Sequence, residues 1–241
     1  MKKLYERHEL LFAIVWIALY INLLSIADNV SRSLGLEKLI TFPVSAVMCV
    51  VLFVWLRQHR LMEKYGLCSP AVKPRDMLYY LPLLLIVSCN TWFGLRLNMS
   101  VLESLLYVLS MLCVGFLEEL IFRGFLFRAM SRDGIKSAII VSSITFGIGH
   151  IVNLFNGSGA ELLPTLLQVC YAVAAGYMFV IIFYRSGSLI PCILAHSGIN
   201  MLSAFGVEPG SAGRIFSAAA LCVISLSYAI YLNRKLGGKH Q

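Results

Sequence analysis

Apolar residues in this chain arrive in long uninterrupted runs, and the polar segments between them are short. A soluble core does not need runs of this length, whereas the hydrocarbon layer of a bilayer needs about 20 apolar residues per helix. Eight runs read as membrane spans, near 9–28, 40–57, 77–95, 104–128, 136–155, 162–184, 188–205 and 213–233. The predicted fold class is therefore all-α, a polytopic membrane protein of about eight transmembrane helices. Residues 1–241 form a single transmembrane domain in this reading, with almost no chain left for a soluble one. Pro43, Pro164 and Pro191 fall near span starts, where a missing N–H costs little. Pro82 lies deeper and is expected to kink the third span. No repeat, low-complexity tract or long linker interrupts the pattern.

Composition agrees. The chain is 59% hydrophobic and 13% charged, with a mean hydropathy of +0.81; a soluble domain carries roughly twice that share of charge. The net charge of +8 would suit a nucleic-acid partner, but the basic residues sit in loops between apolar runs, where they act as topology signals. If the N-terminus is inside, the inner segments hold 15 of the Lys and Arg residues, from Lys2 and Lys3 through Arg57–Arg75 and Arg128–Lys136 to Lys239. The outer segments hold 4: Arg32, Lys38, Arg96 and Arg214. This asymmetry predicts both termini in the cytoplasm and favours an even number of spans. The first apolar run is too long for a signal-peptide core and lacks a small-residue cleavage site, so it is expected to remain as a span. The seven cysteines lack CxxC spacing and mostly lie in apolar runs, which predicts small buried hydrophobes and no disulfide framework.

Five strongly polar side chains lie inside the spans, Glu118, Glu119, Arg123, His150 and His196, with Asn200 close by. An ionised side chain at mid-bilayer costs about 2.5–3.5 kcal/mol on insertion scales, so such residues are functional candidates by default. The fourth span reads GFLEELIFRGFLFR. Glu119 and Arg123 are four apart on one helix face, in the favourable order for a pair. Glu118 is rotated about 100° from Glu119 on a regular helix and can point elsewhere. That division predicts a structural Glu119–Arg123 pair and a working Glu118. In the fifth span, SSITFGIGH, Phe146 and His150 share a face, and Gly147 and Gly149 are expected to permit close helix approach. A tight turn near Ser131–Ile135 makes these two spans an antiparallel hairpin, with Glu118 and His150 at depths differing by about 3 Å. In the seventh span, PCILAHSGIN, His196 and Asn200 are four apart, and roughly 12 and 18 Å from its inner start. Three helices can converge on one polar pocket.

EELIFR, FGIGH and HSGIN match the patterns EExxxR, FxxxH and HxxxN, in that order. Together they resemble the CPBP (Abi) family, which holds CAAX prenyl proteases and bacteriocin-processing enzymes. The motif-bearing core covers about 104–205. The resemblance implies an eight-helix intramembrane endopeptidase with its site open towards the cytoplasm, and does not identify the substrate.

Peptide hydrolysis needs an activated water and stabilisation of an oxyanion. Glu118 can serve as the base. By resemblance, His150 helps position the water, His196 and Asn200 donate to the oxyanion, and Glu119, Arg123 and Phe146 give structural support. No cofactor or metal is required by this scheme. A zinc site of Glu118, His150 and His196 is the competing version, since His₂Glu is a catalytic ligand set, although HExxH is absent. No aspartate pair lies in the spans, and Ser197 beside His196 is badly placed as a nucleophile. Other classes are a transporter or proton relay, disfavoured by the lack of an inverted repeat, and a non-catalytic membrane scaffold or bacteriocin-immunity protein. The expected partners are membrane lipids and a membrane-associated peptide or protein, with no nucleic acid. The expected location is a bacterial plasma membrane.

Overall fold

The computed structural model of the protein describes residues 1–237, so Lys239 lies outside the described residues. A short helix α1 (Lys2–Arg7) leads into α2 (Glu9–Ser33) and α3 (Thr41–Gln58). A loop then reaches a broken segment around α4 (Leu81–Val87), flanked by 3₁₀ turns at Pro74–Tyr80 and Ser88–Thr91. Helix α5 (Val101–Glu118) runs without interruption into a π-helix, Glu119–Phe127, and the single turn α6 (Arg128–Met130). A tight turn gives α7 (Ile135–Gly149), which ends in a 3₁₀ stretch, His150–Leu154. Helices α8 (Leu162–Ser186), α9 (Ile190–Leu202) and α10 (Ser211–Leu236) complete the order. Among the described residues there is no strand, only an isolated bridge between Leu95 and Gly206.

Among the described residues six helices are long and apolar enough to cross a membrane: Glu9–Ser33, Thr41–Gln58, Val101–Met130, Ile135–Leu154, Leu162–Ser186 and Ser211–Leu236. The third and seventh predicted spans correspond to shorter helices. Helix α9 has 13 residues, below the 17–25 of a typical span. The third is broken before Pro82: Leu78, Tyr79 and Tyr80 have φ of 49°, 51° and 59°. Three consecutive left-handed residues cost roughly 1–2 kcal/mol each. The fully buried Met77 anchors the turn, and its carbonyl accepts from Tyr228 Oη at 2.6 Å. Pro82 thus lies in the first turn of a short helix, where its missing N–H is harmless, and does not kink a long one.

Close crossings fix the helices that carry the polar motifs. A Cβ on Gly115 would meet the backbone nitrogen of Ser197 at 2.8 Å, so α5 and α9 touch almost backbone to backbone. A Cβ on Gly147 would lie 2.8 Å from the nitrogen of Val173, which sets α7 against α8. Gly149 does not share this role, because its side-chain position faces open space. Ser100 caps α5 in a reciprocal box with Glu103, which defines where that helix starts. All seven cysteines are free.

The loops gather at two opposite ends. At the end holding the N-terminus, Glu9 accepts from Lys64 at 2.7 Å and Tyr65 at 2.6 Å, and pairs with Arg132 at 2.6 Å. Burial first, and the Glu9 carboxylate second, hold the Tyr65 phenol above its usual range. There Leu189 N donates to Gly66 O, and Ala71 N to Ser186 O, both at 2.8 Å. At the far end Arg96 N donates to Phe205 O at 2.7 Å, and Asn29 Nδ2 to Asn156 O at 2.9 Å.

Candidate active site

Glu118 is the last residue of α5 before the helix widens. π-helical turns are rare and occur frequently at functional sites. Here the widening begins at Glu119 and brings two successive carboxylates to a single imidazole. His196 Nδ1 donates to Glu119 Oε1 at 2.8 Å, while its Nε2 lies 3.3 Å from Glu118 Oε2. Among the described residues Glu118 makes no hydrogen bond or ion pair with Arg123, yet it is not turned away from its neighbour's other partner, His196.

Glu119 also accepts from Arg123 Nη1 at 3.0 Å, and both side chains have 0% exposure. Among the described residues Arg123 Nε and Nη2 and Glu119 Oε2 have no hydrogen-bond partner. Aromatic faces take up part of that deficit: the guanidinium carbon lies 4.0 Å from the centre of the Phe146 ring and 5.5 Å from that of Phe179. Phe146 also meets His150 and His196 edge-on, with centroids 5.3 and 5.5 Å apart. Phe179 stacks on His196 at 5.8 Å. Gly176 makes room for this layer, since a Cβ there would lie 3.1 Å from Arg123 Nη2 and 3.2 Å from Phe146.

Above the layer is a cavity of about 830 Å³, lined in part by Glu118, His150, His196 and Asn200. His150 Nδ1 is 3.2 Å from the Phe146 carbonyl, which can only accept. The neutral ring therefore carries its proton on Nδ1 and keeps a lone pair on Nε2. The Asn200 carbonyl accepts from Ser203, and no hydrogen bond engages its side-chain amide among the described residues. A carboxylate, two imidazoles and an unengaged amide thus share one cavity.

Tyr20 joins the site although the pattern of charged groups, histidines and Asn200 along the sequence does not point to it. Its hydroxyl donates to Glu118 Oε1 at 2.5 Å from the middle of α2. The signal for it is a phenol in the middle of a mostly apolar stretch, FAIVWIALYINLLSIA. Among the described residues no group of three or more His, Cys, Asp or Glu side chains is disposed to hold a metal ion.

Residues 100–202 match the family model for type II CAAX prenyl endopeptidase, Rce1-like. No curated protein and no solved structure matches the chain. The matched segment runs from the cap of α5 to the end of α9 and contains all seven motif residues, Glu118 to Asn200. The protein is thus an integral membrane protein whose residues 100–202, rather less than half of the chain, are similar to the type II CAAX prenyl endopeptidases.

Proposed function

We propose that the protein is an intramembrane endopeptidase that hydrolyses a peptide bond in a membrane-associated peptide or protein. Glu118 acts as general base on a water that His150 Nε2 helps to orient. His196, held by Glu119, and the Asn200 amide donate to the oxyanion. The tetrahedral intermediate collapses with the proton passed from Glu118 to the leaving amine. Tyr20 orients the Glu118 carboxylate, and Arg123 neutralises Glu119 below. The observation that carries this reading is the division of the two glutamates. Glu118 lines the cavity, whereas Glu119 is sealed beneath it and bound to Arg123 and His196.

The decisive experiment is cleavage of membrane-associated peptides by purified protein beside Glu118→Ala. Activity in the first and none in the second is the expected result. Equal activity in both would remove Glu118 from the chemistry, and no activity in either would favour a membrane scaffold. A zinc-dependent version draws support from one observation: His196 Nδ1 is held by a carboxylate, the outer-sphere arrangement common to metal-binding histidines. Elemental analysis separates the two. One zinc per chain, with activity lost on stripping and regained on its return, would replace the metal-free scheme.

A further inference from the structure

Among the described residues, those that line the cavity lie in the middle of the helix bundle and towards its far end. Its floor is Phe122, Phe146, Phe179 and His196, and its walls run along the halves of α2, α5 and α8 that lead to the far end. Its mouth is formed by far-end residues such as Lys38, Asn156, Glu161, Glu208 and Arg214. No residue of the loops at the N-terminal end, 59–73, 131–134 or 187–189, lines it. Beneath the floor Glu119, Arg123, Phe125 and Phe127 are each 0–1% exposed and close that route.

The charges distinguish the same two ends. Arg57, Arg60, Lys64, Lys73, Arg75, Arg128, Arg132, Lys136 and Arg185 lie at or near the closed end, together with the N-terminus and the last turn of α10. Arg32, Lys38, Arg96 and Arg214 are at the open end. Lysine and arginine in short loops mark the cytoplasmic side. The closed end is therefore cytoplasmic, and the cavity faces the other way. This reverses the cytoplasmic opening that the family resemblance implied.

Taking the cavity as the active site, we infer that the enzyme receives its substrate from the extracytoplasmic side, as an exported peptide or the outward-facing segment of a membrane protein. A prenylated C-terminus held on the cytoplasmic face meets only the closed, basic end. The mouth's chemistry fits an uncharged, extended peptide. Both of its cations are already paired, Lys38 with Asp28 at 2.8 Å and Arg214 with Glu208 at 3.0 Å and Glu161 at 3.9 Å, which leaves no free positive charge there for an acidic ligand. Between mouth and floor the walls present the side-chain amides of Gln168 and Asn200, which no hydrogen bond engages among the described residues. Side-chain amides match the donors and acceptors that an extended backbone leaves unpaired.

A membrane-impermeant maleimide tests the sidedness without a substrate. Three variants are compared with the parent chain in spheroplasts and in inverted vesicles: Ser158→Cys in the far-end loop, Gln168→Cys within the cavity, and Asp133→Cys in the closed-end turn. The expected result is one added label on Ser158→Cys and Gln168→Cys in spheroplasts only, and on Asp133→Cys in inverted vesicles only. Labelling of Ser158→Cys in inverted vesicles alone would overturn the inference, as would labelling of Gln168→Cys alone from the cytoplasmic side. External labelling of Ser158→Cys with Gln168→Cys silent in both preparations would refute an open cavity. These outcomes are independent of catalysis. External labelling with no effect of Glu118→Ala on cleavage would end the proposed mechanism and leave the sidedness standing.

Discussion

Glu118 and Glu119 are adjacent in sequence and share a partner, yet they occupy two different chemical regions. Glu119 lies in a dry layer with Arg123, His196 and two phenylalanine rings, where every charge has a counter-charge or a π face. Glu118 lies at the bottom of a polar cavity, held by Tyr20 and next to His196, with space in front of it. In the proposed mechanism the lower region holds geometry and the upper region does chemistry, and His196 touches both. One residue of helical advance, together with the onset of the π-helix, suffices to separate a sealed, paired acid from one that lines the cavity.

The most direct way to break that contrast is Glu118→Gln. It keeps volume and removes a base, so cleavage should fall by about 10⁴-fold, the upper end for general acid–base catalysis. The melting temperature in detergent should stay near that of the parent. Glu119→Gln should do the reverse, because it leaves Arg123 charged in a dry site. Removal of one partner of a buried pair costs about 3–5 kcal/mol, to be read as a lowered melting temperature and poor yield. Equal activity loss with unchanged stability in both variants would erase the distinction.

Asn200→Ala sharpens the upper region. Loss of an oxyanion donor should lower kcat by about 10²–10³-fold with little change in KM, measured by steady-state kinetics. Unchanged kcat with raised KM would make Asn200 a substrate-binding residue only. The smallest effect is expected for Tyr20→Phe. A hydrogen bond to a charged group contributes about 1.5–3 kcal/mol, so a drop in kcat on the order of 10-fold is anticipated, with the melt unchanged.

Much of the lower region was legible in the sequence. Four-residue spacing on a helix is local, and Glu119 and Arg123 do meet at that spacing. The alternation of apolar runs and basic loops likewise marked where helices lie. What stayed illegible depends on nonlocal packing. The π-helix cannot be read from ELIFRGFLF, since its composition suits a regular helix equally well. Tyr20 is 98 residues from the carboxylate it binds, beyond any spacing rule. The break at Leu78–Tyr80 uses residues that normally avoid left-handed backbone, and it is held there by Tyr228 from α10. Gly147 and Gly149 look equivalent in sequence, but only the first lies at a helix crossing.

The closed floor has an electrical consequence. A polar cavity open to one side carries that side's potential down to Glu118, so the transmembrane voltage falls mainly across the thinner layer beneath. A single charge in that layer would exchange about 2.3 kcal/mol with the field per 100 mV crossed. Glu119 and Arg123 are opposite charges 3.0 Å apart, and as a pair they move almost no net charge along the field. The support beneath the site is thereby insulated from changes in membrane voltage.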